Sequence, residues 1–351
     1  MTAISGTTAS SAKPFRAQPA ALDQRNVGFM LGHEQFPVPE LLQLGELAEA
    51  SGFDLLATSD HLQPWQDNEG HSGLAWVTLA ALGQRVSSGW MGTTVTCPTM
   101  RYHPAIIAEA FASLSLLSPG RIFLGVGSGE ALNEQAATGD WPAWEIRWER
   151  LIEAVALIRK LWSGNYIYHH GKHFDVEAKL YDTPPQPIPI FVAANGPKAM
   201  RKAGRIADGL VTDPKTWKEH KHEFVAGLAD AGKTLDGIPI LIEQFVVVGD
   251  QRDAEQAARL WRFIPEAFTG HHNNPDPRDI QRQAVATMPL DKVYADWSVG
   301  TDPQTHIDAI RELFDSGATI VNIHSGQPDQ KRVIEFYGEK VLTQLNRTTK
   351  H

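Results

Sequence analysis

Cysteine occurs once in the 351 residues, at Cys97. A lone thiol excludes an internal disulfide and any cysteine-rich zinc site, and it fits a reducing cytoplasm. No run of 18 apolar residues is found, so no membrane-spanning helix is expected. Basic side chains are outnumbered, 32 against 41 acidic ones, for a formal net charge of −9. Phosphate-backbone binding needs the opposite balance, which argues against nucleic acid as a partner. An anionic ligand would have to be held by local donors. Residues 1–25 are rich in Ser, Thr and Ala and lack the apolar stretch of a secretory signal. They read as a disordered extension, with a cleaved targeting peptide as the alternative.

What is present is a regular alternation. Short β-rich apolar runs fall at 26–31, 55–60, 91–96, 122–127, 190–195, 209–213, 241–248 and 320–324. Amphipathic stretches lie between them. Leu151, Val155, Ile158 and Trp162 share one helical face, and Ile307, Ile310, Leu313 and Phe314 repeat the pattern before Gly317, a C-terminal stop. Alternating strands and helices predict a parallel sheet, and eight strands predict an α/β fold of the (β/α)8 TIM-barrel type. Residues 26–351 then form one domain. Two segments break the spacing: 131–140, and an insertion at 251–301 between the seventh and eighth strands. Insertions of this kind sit on the loops that build a barrel's C-terminal mouth, so this one is expected to cover it.

The candidate chemistry lies at strand ends. After the second strand stand Asp60, His61 and Trp65, in SDHLQPW. An imidazole there can exchange a proton near neutral pH, and Asp60 could orient it or bind a ligand. A capping Asp beside a surface His is the plain alternative. The fourth strand runs into Gly125, Gly127 and Gly129, which permit close approach of a flat or phosphorylated ligand, and then Glu130, a partner acid or a helix cap. Behind the fifth strand, Ala193-Ala194-Asn195-Gly196-Pro197 opens a helix whose free N–H groups, with Lys198 or Arg201, could hold phosphate; a simple strand-to-helix cap is the plain alternative. The pairs His169–His170 and His271–His272 lack metal-ligand spacing and read as solvated loop histidines, so no metal is expected.

SDHLQPW at 59–65, GTTVTCPTMRYHPAIIAEAFASL at 92–114, RIFLGVGSGEALNE at 121–134 and VAANGP at 192–197 together resemble the coenzyme F420-dependent dehydrogenases of the bacterial luciferase-like superfamily. The nearest group there includes glucose-6-phosphate dehydrogenases and a hydroxymycolic acid dehydrogenase. The likeness runs from about residue 26 to the end. It implies a homodimeric TIM barrel with a deazaflavin, coenzyme F420, at its mouth. By motif, His61 would be the base that takes the substrate hydroxyl proton as hydride passes to C5 of the deazaflavin. Glu130 would be the acid serving the reduced ring, Trp65 would stabilise the transient species, and Glu34 would be a further active-site carboxylate. Asp60, Thr94, Val95, Cys97, Gly129, Asn133, Ala193, Ala194, Asn195 and Gly196 match cofactor-contacting positions. The Thr94–Val95 bond matches a non-proline cis peptide.

The sequence departs from the sugar-phosphate members where their basic residues hold phosphate. Here those stretches read Val211-Thr212-Asp213-Pro214, Ile242-Glu243-Gln244-Phe245 and Tyr294-Ala295-Asp296-Trp297, with Lys215 nearby. Carboxylates would repel a phosphate dianion, so a non-phosphorylated hydroxylated small molecule is expected. The segment 296–303 and HEQF at 33–36 lean toward the hydroxymycolic acid subgroup. An F420-dependent sugar-6-phosphate dehydrogenase, an FMN-dependent luciferase-like monooxygenase and a catalytically silent barrel are the other readings.

Overall fold

The computed structural model describes residues 19–345. Eight strands close on themselves: Asn26–Leu31, Leu55–Thr58, Trp90–Thr93, Ile122–Val126, Ile190–Ala193, Gly209–Thr212, Ile240–Val248 and Ile320–His324. Every neighbouring pair is parallel, and the eighth returns to the first with Asn26 opposite Ile320 and Phe29 opposite Ile323. This is the expected (β/α)8 barrel. The expected strands run one to three residues too far at several C-terminal ends. The chain leaves the ladder there to turn into the mouth, at 59–60, 94–96 and 194–195.

Two apolar layers follow from period-2 alternation. Met30, Leu55, Ala57, Phe123, Phe191, Val211, Leu241 and Ile320 fill the barrel interior. The opposite faces meet the surrounding helices. In the helix Trp144–Trp162, Trp148, Leu151, Val155 and Ile158 are buried, one face at helical spacing. The helix Pro303–Ser316 ends at Gly317, whose φ of 107° is the left-handed stop that glycine adopts without a Cβ clash.

Three features go beyond the expected plan. Residues 1–18 of the anticipated extension lie outside the described residues. Residues 19–25 pack beneath the barrel, with Leu22 in the interior cluster and the Ala20 carbonyl accepting from the Trp90 indole at 2.8 Å. A hairpin, Ile167–His170 with Asp175–Ala178, projects between the fourth and fifth barrel strands. Its alternation is too polar to register as a strand pair. The insertion holds helices Gln251–Leu260, Pro277–Thr287 and Leu290–Val293, and its strand Ser298–Gly300 extends the sheet beside Val246–Val248. Trp261, Phe263, Phe268, Ile280 and Ala284 give it a small core of its own, packed on Leu132 and Trp65 from the mouth.

Candidate active site

The floor of the mouth is built from residues without bulk. The Thr94–Val95 peptide is cis, and it lies against the fourth strand. A Cβ on Gly125 would stand 2.0 Å from the Thr93 carbonyl, and one on Gly127 would stand 2.8 Å from Val95 Cγ2. Only glycine allows that approach. Gly129 has φ 85°, and a side chain there would strike Cys97 Sγ. Ala193 edges the floor. Asn195 is exposed beyond it, and Gly196 opens the helix Pro197–Ile206 with clear space above its Cα.

Over this floor the second strand delivers His61. Its Nε2 stands 3.5 Å from Glu34 Oε1 and 3.8 Å from Glu130 Oε2. The two carboxylates come from the first and fourth strands, so the fold brings together the three groups that the sequence separates. Glu34 is buried at 2% exposure and accepts from Ser59 Oγ at 2.7 Å. Glu130 is open to solvent at 39%. The neighbouring His33 is a buried peg between the Ser59 carbonyl and Thr78 Oγ1, and burial holds its pKa down.

Asn133 fixes the proton on His61. The Leu62 N–H donates to Asn133 Oδ1 at 2.8 Å, so the amide nitrogen must face the other way. It donates to Glu130 Oε2 at 2.9 Å and meets His61 Nδ1 at 3.1 Å. An amide N–H cannot accept, so Nδ1 is the acceptor. The neutral ring therefore carries its hydrogen on Nε2, between the carboxylates.

Aromatic rings wall one side. Trp65 lies 5.2 Å from His61, stacks on Phe263 at 4.5 Å and meets His271 edge-on at 5.5 Å. His271 is accordingly not the solvated loop residue expected from sequence. The insertion folds it under Trp65, and burial lowers its pKa to about 4. His170 is exposed, whereas His169 pairs with Glu153 at 3.0 Å.

Other expected site residues are turned away. Asp60 gives its oxygens to Thr96, Arg101 and Tyr102 rather than to His61. Cys97 is buried against Thr99, with its thiol pKa pushed up by burial, and Ala194 faces the outer core. Arg201 is held by Asp230 on the helix surface. At the positions expected near a phosphate, Asp213 caps the helix Pro214–Asp230 and Asp296 is exposed. Lys215 is paired with Glu266, while Phe245 and Trp297 stack on each other at 5.1 Å.

Residues 20–319 match the family model described as luciferase-like monooxygenase. Over 324 residues the chain is 48% identical to an F420-dependent hydroxymycolic acid dehydrogenase of Mycobacterium tuberculosis, covering 92% of this chain and 88% of that one. The chain belongs to the luciferase-like family, among its F420-dependent dehydrogenases. A second member, the F420-dependent glucose-6-phosphate dehydrogenase of Microbacterium testaceum, is 39% identical over 91% of this chain and 97% of its own. Among solved structures, an F420-dependent secondary alcohol dehydrogenase in complex with an F420-acetone adduct superposes with a TM-score of 0.85. It is 30% identical and covers 91% of this chain and 98% of its own. The monooxygenase RslO1 from Streptomyces bottropensis, 20% identical with a TM-score of 0.68, shares the fold.

Two features are not legible in the sequence: Ser59 as the support of Glu34, and the second role of Asn133. Both act through hydrogen bonds between loops distant in the chain. No local spacing announces them.

Proposed function

We propose that this chain is a coenzyme F420-dependent dehydrogenase that oxidises the carbinol of a non-phosphorylated alcohol or sugar. The observation that carries the reading is the His61–Glu34–Glu130 cluster, set over a glycine floor and beside an aromatic wall. The residues fit a flat tricyclic group: Gly125 and Gly127 let the Thr93–Val95 backbone lie flush on the fourth strand as a level floor, and Gly196 leaves open space at its edge. Coenzyme F420, when bound, supplies the hydride acceptor; the protein supplies orientation and proton transfer.

The proton chemistry belongs to the chain. With hydrogen on Nε2, His61 donates to the carbinol oxygen and holds it in place. Glu34 Oε1, 3.5 Å from that nitrogen, takes the hydroxyl proton as the carbonyl forms. A neutral imidazole beside a carboxylate base polarises the oxygen without competing for its proton. In the carbonyl-reducing direction the same Nε2–H stabilises charge growing on oxygen. Glu130, tied to Asn133 and open to solvent, would exchange its proton with solvent and serve as the acid for the reduced ring. Trp65 shields the space from water.

The aromatic wall and the paired state of Lys215 favour a neutral substrate over a phosphorylated one. A panel of neutral secondary alcohols, sugars and glucose 6-phosphate, followed by bleaching of the deazaflavin absorbance, tests the proposal. Neutral alcohols should bleach faster. Equal or faster bleaching by glucose 6-phosphate would refute the substrate assignment, and oxygen consumption with reduced FMN would refute the reaction class.

A further inference from the structure

A second histidine–carboxylate couple faces the same mouth from the neighbouring strands, the eighth of which pairs with the first. His324 ends the eighth strand and Glu243 lies on the seventh, where Phe245 is opposite His324 in register. Asn322 and His324 point inward with the same parity as Ile320 of the interior cluster. Nδ1 of His324 bonds Glu243 Oε1 at 2.6 Å. A carboxylate can only accept, so Nδ1 carries the hydrogen, and in the neutral ring Nε2 keeps a free lone pair.

That lone pair is buried and has no hydrogen-bond partner among the described residues, in a side chain 3% exposed. Phe245 stacks on one face of the ring at 4.2 Å, and Trp261 meets it edge-on at 4.5 Å. Trp261 is itself fixed by Gln35 Oε1 at 3.0 Å. The imidazole is thus clamped and cannot rotate to find another donor. Its Nε2 borders the space over Gly32. A Cβ added there would meet only Glu34 Oε2, at 3.5 Å, and His324 Nε2, at 3.9 Å. The small space over Gly32 is therefore bordered by the proposed base on one side and by an unsatisfied acceptor on the other.

An unpaired acceptor in an aromatic wall is costly unless a ligand donates to it. We infer that His324 and Glu243 form a subsite for a second hydroxyl of the substrate, close to the carbinol being oxidised. This rests on the alcohol-dehydrogenase reading above and narrows it to diols and polyols. The hydroxyl donates to Nε2, Glu243 holds the accepting tautomer, and Phe245 and Trp261 pack against the carbon skeleton. A mono-alcohol leaves the acceptor unmet. A site built to bond a hydroxyl discriminates against the analogue that lacks one.

The test uses the F420-loaded enzyme and matched probes: 2-propanol with 1,2-propanediol, and cyclohexanol with trans-1,2-cyclohexanediol. Wild type should favour each diol about tenfold in KM, the value of one hydrogen bond. His324→Phe keeps the ring stack and removes the acceptor. Gly32→Ala removes no polar group and fills the space at ordinary contact distances. Both should bring the diol-to-mono-alcohol ratio close to one. A ratio near one in wild type, or a preference that survives both substitutions, overturns the inference. Nitrogen NMR of labelled histidine, with His324 assigned through the variant, reads the subsite without turnover. Adding diol should move the Nε2 resonance in the direction of hydrogen bonding, and mono-alcohol should not. If no probe is oxidised but the diol moves that resonance, the subsite stands and the reaction reading falls. If the resonance stays still, the subsite falls.

Discussion

Because the Leu62 N–H holds the Asn133 oxygen, the tautomer of His61 depends on a single backbone donor, and roles follow from it. Glu34→Gln keeps the shape and the Ser59 bond but removes the proton acceptor. Its kcat should fall by about 10²–10⁴, with KM changed little, because the lost interaction is made during proton transfer. His61→Gln retains a donor near the oxygen and should lose less than His61→Ala. Rapid-reaction kinetics with a substrate from the alcohol panel check both. If Glu34→Gln turned over normally while His61→Gln were dead, proton removal would belong to His61, as the sequence resemblance alone implies.

Among the elements, the insertion carries a pH sensitivity of its own. His271 has a folded pKa of about 4, below the ordinary 6.5, because burial penalises the charged ring. The folded state binds fewer protons than the unfolded one between those values, so stability is full above pH 6.5 and falls on acidification toward pH 4. The loss is at most about 3 kcal/mol. Thermal melts from pH 4 to 7 should show this slope in wild type and a shallower one in His271→Phe. Identical slopes would place the sensitivity elsewhere. This element also marks the limit of what the sequence discloses. The eight barrel strands are legible because buried parallel strands are continuous apolar runs bounded by turn residues, as in Ile122–Val126 and Ile320–His324. His61, Glu130 and the glycines are legible because each stands at a strand end. The positions of His271, Phe263 and Trp297 are not, since tertiary packing decides which face of an irregular segment turns inward. His324 is hidden for another reason. It reads as an ordinary strand residue, and its partner Glu243 lies 81 positions away.

For the molecule as a whole, the apolar side chains of Leu74, Val77 and Ile106 are exposed at the starts of the adjoining helices Ala75–Gly83 and Pro104–Leu117. A homodimer that covers them is the expected assembly. Light scattering should give twice the mass of one chain, and Val77→Glu combined with Ile106→Glu should give one. A monomeric wild type would contradict this. Among the described residues no helix is long and apolar enough to cross a membrane. The proposed chemistry has a carboxylate, an imidazole and a second carboxylate converge over a floor that fits a deazaflavin and drive alcohol oxidation there. Its most direct measurement is single-turnover bleaching of enzyme-bound coenzyme F420 by a neutral alcohol, in wild type and Glu34→Gln side by side. Bleaching is expected to be rapid in the first and about 10²–10⁴ slower in the second. Equal rates in the two proteins would contradict it.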